Sequence, residues 1–294
     1  MGRIFRGFSK LDAHRGVRDA DAPLGWAIPP GFRQGSSVAT MTVSETDQRP
    51  EPRAPYRPSH AMVLAAGLGQ RMRPITDTLP KPLVRVGGKA MLDHALDRLA
   101  AIGVTEAVVN VHHLAGQIEA HLASRSCPRI AISDERAELL ETGGGLAKAL
   151  PLLGDRPFLH LNSDSLWIES GASNLARLSS AWDPSRMDML LLLADAARSL
   201  GYDGAGDFHM AKDGALTRRA GGERAAHVYA GVAMIEPALL RDAPSGKWSL
   251  NVLFDRAIAA GRLFGVALEG EWLHVGTPEA IPLADARFAA SSAS

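Results

Sequence analysis

From residue 60 onward the hydrophobic positions switch repeatedly between two spacings. Short apolar runs, Ala61 to Ala66, Ala107 to Val111, Arg129 to Ser133, Pro157 to Leu161 and Met187 to Leu193, read as buried strands. Between them, Leu92, Leu96, Leu99 and Ile102 recur at helical spacing, and Gly103 supplies a stop. A second amphipathic stretch runs from Leu114 to Leu122. This alternation predicts an α/β domain over residues 60–290, with a mainly parallel sheet covered by helices on both faces. In such sheets ligands sit at the carboxyl ends of strands, near a topological switch point. From Gly201 to Gly231 the pattern changes to glycine-rich turns and short strands, Gly206 to Met210 and Ala226 to Ala230, which predicts a small β-rich lobe. Asn251 to Ala260 and Pro278 to Phe288 are expected as closing helices, and no internal repeat is visible.

Residues 1–59 lack any such period. They scatter Arg, Pro, Gly and Ser and end in QRPEPRAPYRPS, the composition of a disordered or weakly ordered extension. Asp12, Asp19, Asp21 and Glu45 argue against a transit peptide, and Met41 is an alternative start that the intact mass of the native protein would distinguish.

Composition narrows the possibilities. With 294 residues and 46% hydrophobic side chains, the chain can bury a sizeable core. Lys+Arg and Asp+Glu balance at 32 each, so nothing in the net charge points to nucleic acid or a membrane surface, and phosphate recognition has to be local. The single cysteine, Cys127, excludes an intrachain disulfide and points to the cytoplasm. No apolar stretch approaches the roughly 20 residues that cross a bilayer.

The candidate chemistry begins where the first strand ends. Residues 64–83 read LAAGLGQRMRPITDTLPKPL. Gly67 and Gly69 allow a sharp turn and a close backbone approach, which frees N–H groups to form an anion-binding concavity. Arg71 adds a planar charged fork, and Lys81 a compact charge held between Pro80 and Pro82. The arrangement suits a triphosphate. It is not a Walker loop, which needs GxxxxGK before Ser or Thr, nor a dinucleotide fingerprint, because Arg71 and Met72 stand where the third glycine would begin a helix.

These residues resemble the signature of the sugar-1-phosphate nucleotidyltransferases, and the similarity extends from about Ala61 to about Arg287. The resemblance implies a Rossmann-like, doubly wound, mixed but mainly parallel sheet, with the β-rich lobe binding sugar. It implies that Ala66, Gly67, Gly69, Gln70 and Arg71 wrap the triphosphate of a nucleoside triphosphate. Lys81 would bridge the α-phosphate and a sugar 1-phosphate, which makes Arg71 and Lys81 the catalytic cations. The ETGGG segment, with Thr142, Gly143 and Gly144, would meet base and ribose, since consecutive glycines are expected where a flat group lies against the main chain. LETGGG followed by KALPLLGD is most similar to the enzymes of this family that use UTP and N-acetylmuramic acid 1-phosphate in cell-wall recycling.

After the strand FLHL come Asn162, Ser163 and Asp164. Asp164 is the expected Mg²⁺ carboxylate, because that ion keeps water and takes one or two protein carboxylates plus phosphate oxygens. The family pattern assigns Asn162 to the sugar, and Asp207 resembles a substrate-holding position of muramate-type enzymes. In WLHVGTPEA the family usually carries Asp where His274 stands, completing the metal site. An imidazole suits Mn²⁺ or Zn²⁺ better than Mg²⁺, so a shifted metal preference, a site completed by water and lost catalysis are all open at this stage. A lysine found in an EKP segment elsewhere in the family is replaced by RRAGGERAAHVYAG, leaving Arg218, Arg219 or Arg224 as candidate sugar-phosphate anchors. His112 and His113 read as polar loop residues. Alternative substrate pairs are mannose 1-phosphate with GTP and glucose 1-phosphate with dTTP or UTP, and a non-catalytic nucleotide-sugar-binding relative is the reading from another class. No exposed stripe specifies an oligomer.

Overall fold

The computed structural model describes residues 54–292, so the expected disordered extension lies almost wholly outside the described residues. In chain order the elements are β1 (His60–Leu64), β2 (Arg85–Val86), β3 (Lys89–Ala90), α1 (Met91–Ala101), β4 (Glu106–Val111), α2 (Ala115–Leu122), β5 (Arg129–Asp134) and α3 (Glu141–Leu153). There follow β6 (Phe158–Asn162), β7 (Ser165–Glu169), α4 (Asn174–Ala181), β8 (Met189–Asp195), β9 (Phe208–Met210), β10 (Leu216–Arg218) and β11 (His227–Ile235). The chain closes with α5 (Asn251–Ala259), β12 (Leu263–Ala267), β13 (Gly270–His274) and α6 (Ala280–Ser292).

β1 lies at the centre, parallel to β4 on one side and to β6 on the other, and β4 is parallel to β5. Beyond β6 the antiparallel β11 reverses the direction and carries β8 and the β9–β10 hairpin; β12 then pairs parallel to β8. The sheet is therefore mixed but mainly parallel around β1, as the alternation predicts. Period-two alternation divides the side chains of β1 between two cores. Ala61 and Val63 join Leu92, Leu96, Ile118 and Leu178 under α1, α2 and α4, whereas Met62 joins Leu146, Leu153, Leu253 and Phe254 under α3 and α5. Both cores are fully buried at their centres, which fixes the register of β1 and hence where its last residue emerges.

The β-rich stretch is built onto the central sheet. Its hairpin continues the edge of the central sheet through β11, and a separate antiparallel pair, β7 with β13, stands beside it. β7 and β13 are short, and their inward residues pack in a third cluster with Met72, Val84 and Val86. That cluster joins the loop after β1 to the end of β13, an adjacency over two hundred residues apart in sequence and carried by no local pattern.

Candidate active site

The loop after β1 is held in shape by Thr76, which sequence reasoning passes over. Gly69 has φ +61°, in the left-handed region, and a Cβ there would stand 2.8 Å from Thr76 Cγ2. The Thr76 hydroxyl donates to Gly69 O at 2.8 Å, and the Thr76 carbonyl accepts from the His113 ring at 2.9 Å. The loop is thus curled around one buried threonine and tied to the exit of β4. Gln70–Met72, Ile75–Asp77 and Lys81–Leu83 form three single 3₁₀ turns along it. The last turn, set by Pro80 and Pro82, presents Lys81 inward with its side chain 14% exposed.

Lys81 Nζ donates to Asp164 Oδ2 at 2.5 Å. Asp164 occupies the turn between β6 and β7. Burial raises its carboxyl, but the Lys81 ammonium and its hydrogen bond, with a contribution from His274, outweigh that and hold it below the usual carboxylate range. His274 reaches the same place by sheet pairing: β13 runs antiparallel to β7 with His274 opposite Ser165, the neighbour of Asp164. Burial and the charges of Arg71 and Lys81 push the His274 imidazole down, against the pull of Asp164 and Asp203, so the ring is neutral at neutral pH. Arg71 and His274 converge over Gly276, where an added Cβ would lie 2.9 Å from His274 Nε2 and 3.3 Å from Arg71 Nη1. Tertiary structure therefore gathers Arg71, Lys81, Asp164 and His274 into one constellation.

Two adjoining cavities open there. One, of about 290 Å³, is lined among others by Ala66, Asn110, Glu135, Thr142 and Asn162. The other, of about 560 Å³, is lined among others by Gln70, Arg71 and Gly276. They share Gly67, Gly69, Lys81 and Asp164. The crevice follows the carboxyl ends of β1, β4, β5 and β6, where ligands of open α/β sheets bind. Asn162, at the end of β6, is given room by Gly231, whose φ of +79° and bare Cα face Ser165 Oγ and Asn162 Nδ2.

The three consecutive glycines receive a flat group, but one from the chain itself. A Cβ on Gly143 would overlap the Trp248 ring, and one on Gly144 would overlap the carbonyl of Gly246. The N–H groups of Gly143 and Gly144 both donate to Trp248 O, at 2.9 and 3.1 Å. Gly143 and Gly144 are buried and do not line the crevice; Thr142 does, its Oγ1 accepting the Leu250 N–H at 2.8 Å. Asp207 likewise lines neither cavity, because its carboxylate accepts the Tyr229 N–H at 2.9 Å and secures the hairpin. The candidate anchor arginines are also engaged: Arg218 with Asp255 at 2.9 Å, Arg219 with Gly206 O at 3.0 Å and Arg224 with Gly204 O at 3.1 Å. His112 and His113 bond backbone carbonyls, as loop residues would.

Glu135, Asn110 and Leu139 also line the wall without having been anticipated, beside Glu141 of the ETGGG segment and Ser163. A signal existed for Asn110, a lone amide inside the apolar run of β4. Glu141 adopts φ +64°, a strained position for a residue with a side chain and one that occurs preferentially at functional sites. No three metal-ligating side chains converge among the described residues. The donors present, one carboxylate and one neutral imidazole, fit a divalent ion that takes its other ligands from water and phosphate oxygens, and do not form a closed protein cage.

A family model described as nucleotidyl transferase matches residues 60–198. The N-acetylmuramate alpha-1-phosphate uridylyltransferase of Caulobacter vibrioides is 50% identical over 236 residues, covering 79% of this chain and 98% of that protein. Its counterpart in Neisseria meningitidis serogroup B is 37% identical over 74% of this chain and 93% of its own. Among solved structures, the inositol-1-phosphate CTP transferase from T. maritima superposes with a TM-score of 0.67 at 16% identity, covering 81% of this chain and 97% of the other, a likeness of fold. The glycine loop that opens on Lys81 and Asp164 lies in the matched region, and on these grounds the chain belongs to the nucleotidyl transferase family, as a sugar-1-phosphate nucleotidyltransferase.

Proposed function

We propose that this protein transfers the uridylyl group of UTP to N-acetylmuramic acid 1-phosphate and releases pyrophosphate, the reaction of nucleotide-sugar synthesis in cell-wall recycling. The observation that carries the reading is the convergence of Arg71, Lys81, Asp164 and His274 at the mouth of the glycine loop. The activity for which the Caulobacter and Neisseria relatives are named supports the choice of substrates. The lone cysteine and the use of UTP support a cytoplasmic setting. No helix among the described residues is long and apolar enough to cross a membrane.

The chemistry follows from charge. An oxygen of the sugar phosphate attacks the α-phosphorus of UTP, the bond from that phosphorus to the bridging oxygen breaks, and pyrophosphate departs. The attacking phosphate is already ionised at neutral pH, so no general base is required. The reaction needs two anions aligned against their mutual repulsion and a leaving group whose charge is neutralised. Backbone N–H groups of Ala66 to Gln70 cradle the triphosphate, and Arg71 meets its outer oxygens. Lys81 stands between the α-phosphate and the incoming sugar phosphate. Thr142 fixes the nucleoside end, and Asn162 the sugar. Asp164 and His274 would hold a Mg²⁺ or Mn²⁺ ion, which when bound supplies positive charge against the phosphates. Gly143, Gly144 and Asp207 then act through position, by seating the head of α3 against Trp248 and by securing the sugar-side hairpin.

Pyrophosphate release across a matrix of nucleoside triphosphates and sugar 1-phosphates, with Mg²⁺ and Mn²⁺ in parallel, tests the proposal. The expected maximum is UTP with N-acetylmuramic acid 1-phosphate. Turnover confined to GTP with mannose 1-phosphate would replace the assignment.

A further inference from the structure

The crevice wall contains a buried carboxylate that the reaction above does not use. Glu135 is 0% exposed and Asn110 2% exposed. A charge removed from water persists only where its oxygens find donors. Glu135 Oε1 accepts from Asn110 Nδ2 at 2.7 Å, and Oε2 accepts the Leu140 N–H at 3.1 Å. At its other end Asn110 Oδ1 accepts the Ala65 N–H at 2.7 Å. The direction of each bond is fixed by chemistry: a backbone N–H only donates and a carboxylate only accepts, so the amide of Asn110 has a single permitted orientation.

This relay joins two segments that have to act together. Ala65 is the exit of β1, two residues before Gly67 opens the phosphate loop, and Leu140 leads directly into Glu141 and Thr142 at the head of α3. The helix is pressed onto the relay: a Cβ on Gly145 would lie 2.7 Å from Glu135 Oε1 and 2.9 Å from Asn110 Nδ2. Charge-assisted bonds are short and strong, so a carboxylate holds the two segments more rigidly than an amide in its place. The relay also polarises the crevice, with Glu135 and Glu141 on one wall and Arg71 and Lys81 at the mouth. A polyphosphate is repelled from the first and drawn to the second.

We propose that Asn110 and Glu135 are positioning residues that set the spacing between the phosphate loop and the head of α3, so that both ends of a nucleoside triphosphate are engaged at once. The inference rests on the functional reading given above.

The test reverses the polarity of the relay. In Glu135→Gln an amide nitrogen faces a donor, and in Asn110→Asp two buried carboxylates face each other. The double variant Asn110→Asp with Glu135→Gln restores every bond: Asp accepts from Ala65 and from the glutamine amide, whose oxygen accepts from Leu140, and the total charge is unchanged. Binding of UTP is measured by calorimetry, with thermal melting in parallel. Each single variant is expected to bind UTP roughly tenfold or more weakly, and the double variant to return to within about threefold of wild type. Single variants that melt lower yet bind UTP like wild type would reduce the pair to a structural role and overturn the proposal. Where a single variant does not fold, the folded double variant decides, and a tenfold loss there overturns it. Absence of UTP binding in the wild-type protein rejects the functional reading itself, whereas wild-type-like binding in the singles rejects only the role of the pair.

Discussion

Lys81 and Asp164, 83 residues apart in sequence, meet at 2.5 Å between ammonium and carboxylate. The pair joins the loop after β1 to the turn after β6 where the two cavities of the crevice meet. In the proposed reaction Lys81 would supply charge at the reacting phosphorus and Asp164 a carboxylate for a cation. Replacing Lys81 with Ala is therefore expected to lower turnover by roughly 10²–10³-fold while leaving the fold intact. Pyrophosphate release and circular dichroism together check this, and near-wild-type turnover would remove Lys81 from its assigned role.

Gly69 is held left-handed over Thr76. In Gly69→Ala the φ of +61° costs about 1–2 kcal/mol, and the new methyl meets Thr76 Cγ2 at 2.8 Å. Reduced denaturation midpoints and weaker triphosphate binding are expected together. Relief of the crowding in Gly69→Ala with Thr76→Ser should recover part of the stability; no recovery would mean that the methyl contact is not what constrains the loop.

His274 is neutral because burial and the cations Arg71 and Lys81 depress its pKa. Its folded value lies below the unfolded value of about 6.5, so the ring stays a competent ligand at and above that pH and loses the capacity only further down. His274→Asp is expected to raise the ratio of Mg²⁺- to Mn²⁺-supported turnover, since a carboxylate is the harder ligand. Electron paramagnetic resonance of Mn²⁺ in the presence of UTP reads the binding directly. An unchanged metal ratio and unchanged Mn²⁺ spectrum would exclude the imidazole from the site.

His160, at the centre of β6, is fully buried and donates to or accepts from Tyr229 Oη at 3.0 Å. Burial pushes its pKa down to about 4. Because the folded value is below the unfolded one, the unfolded chain takes up the proton first; stability is complete above about pH 6.5 and is lost as pH falls toward 4, by about 3 kcal/mol. Urea titrations across that range check the slope, and His160→Phe should flatten it. Parallel slopes in the two proteins would assign the acid sensitivity to other groups.

The glycine loop was legible in the sequence because its signals are local: Gly67, Gly69, Arg71 and Lys81 fall within one strand-to-turn segment, and glycine frees and proline fixes the backbone wherever they stand. The elements around β1 were legible for the same reason, since period two and period 3.6 are properties of a strand and a helix alone. The glycines of ETGGG were read as a place where a nucleobase lies against the main chain; in the structure the ring that lies against Gly143 is that of Trp248, which no local pattern announces. Nor did the short β7 and β13 stand out, because their pairing partner is distant and each run alone is too brief to define a face.

Local order thus determined the α/β alternation and the glycine loop with its flanking cations, and the resemblance carried by those residues implied the class of chemistry. The resemblance implied that His274 joins Asp164, and sheet register brings the two together; tertiary structure alone decided that Arg218, Arg219 and Arg224 are engaged by their own hairpin and its neighbours, and that Asn110 and Glu135 belong to the crevice. The reason is physical: backbone periodicity is written in neighbouring residues, whereas the position of a charge in a cleft depends on sheet register and core packing between segments far apart in the chain.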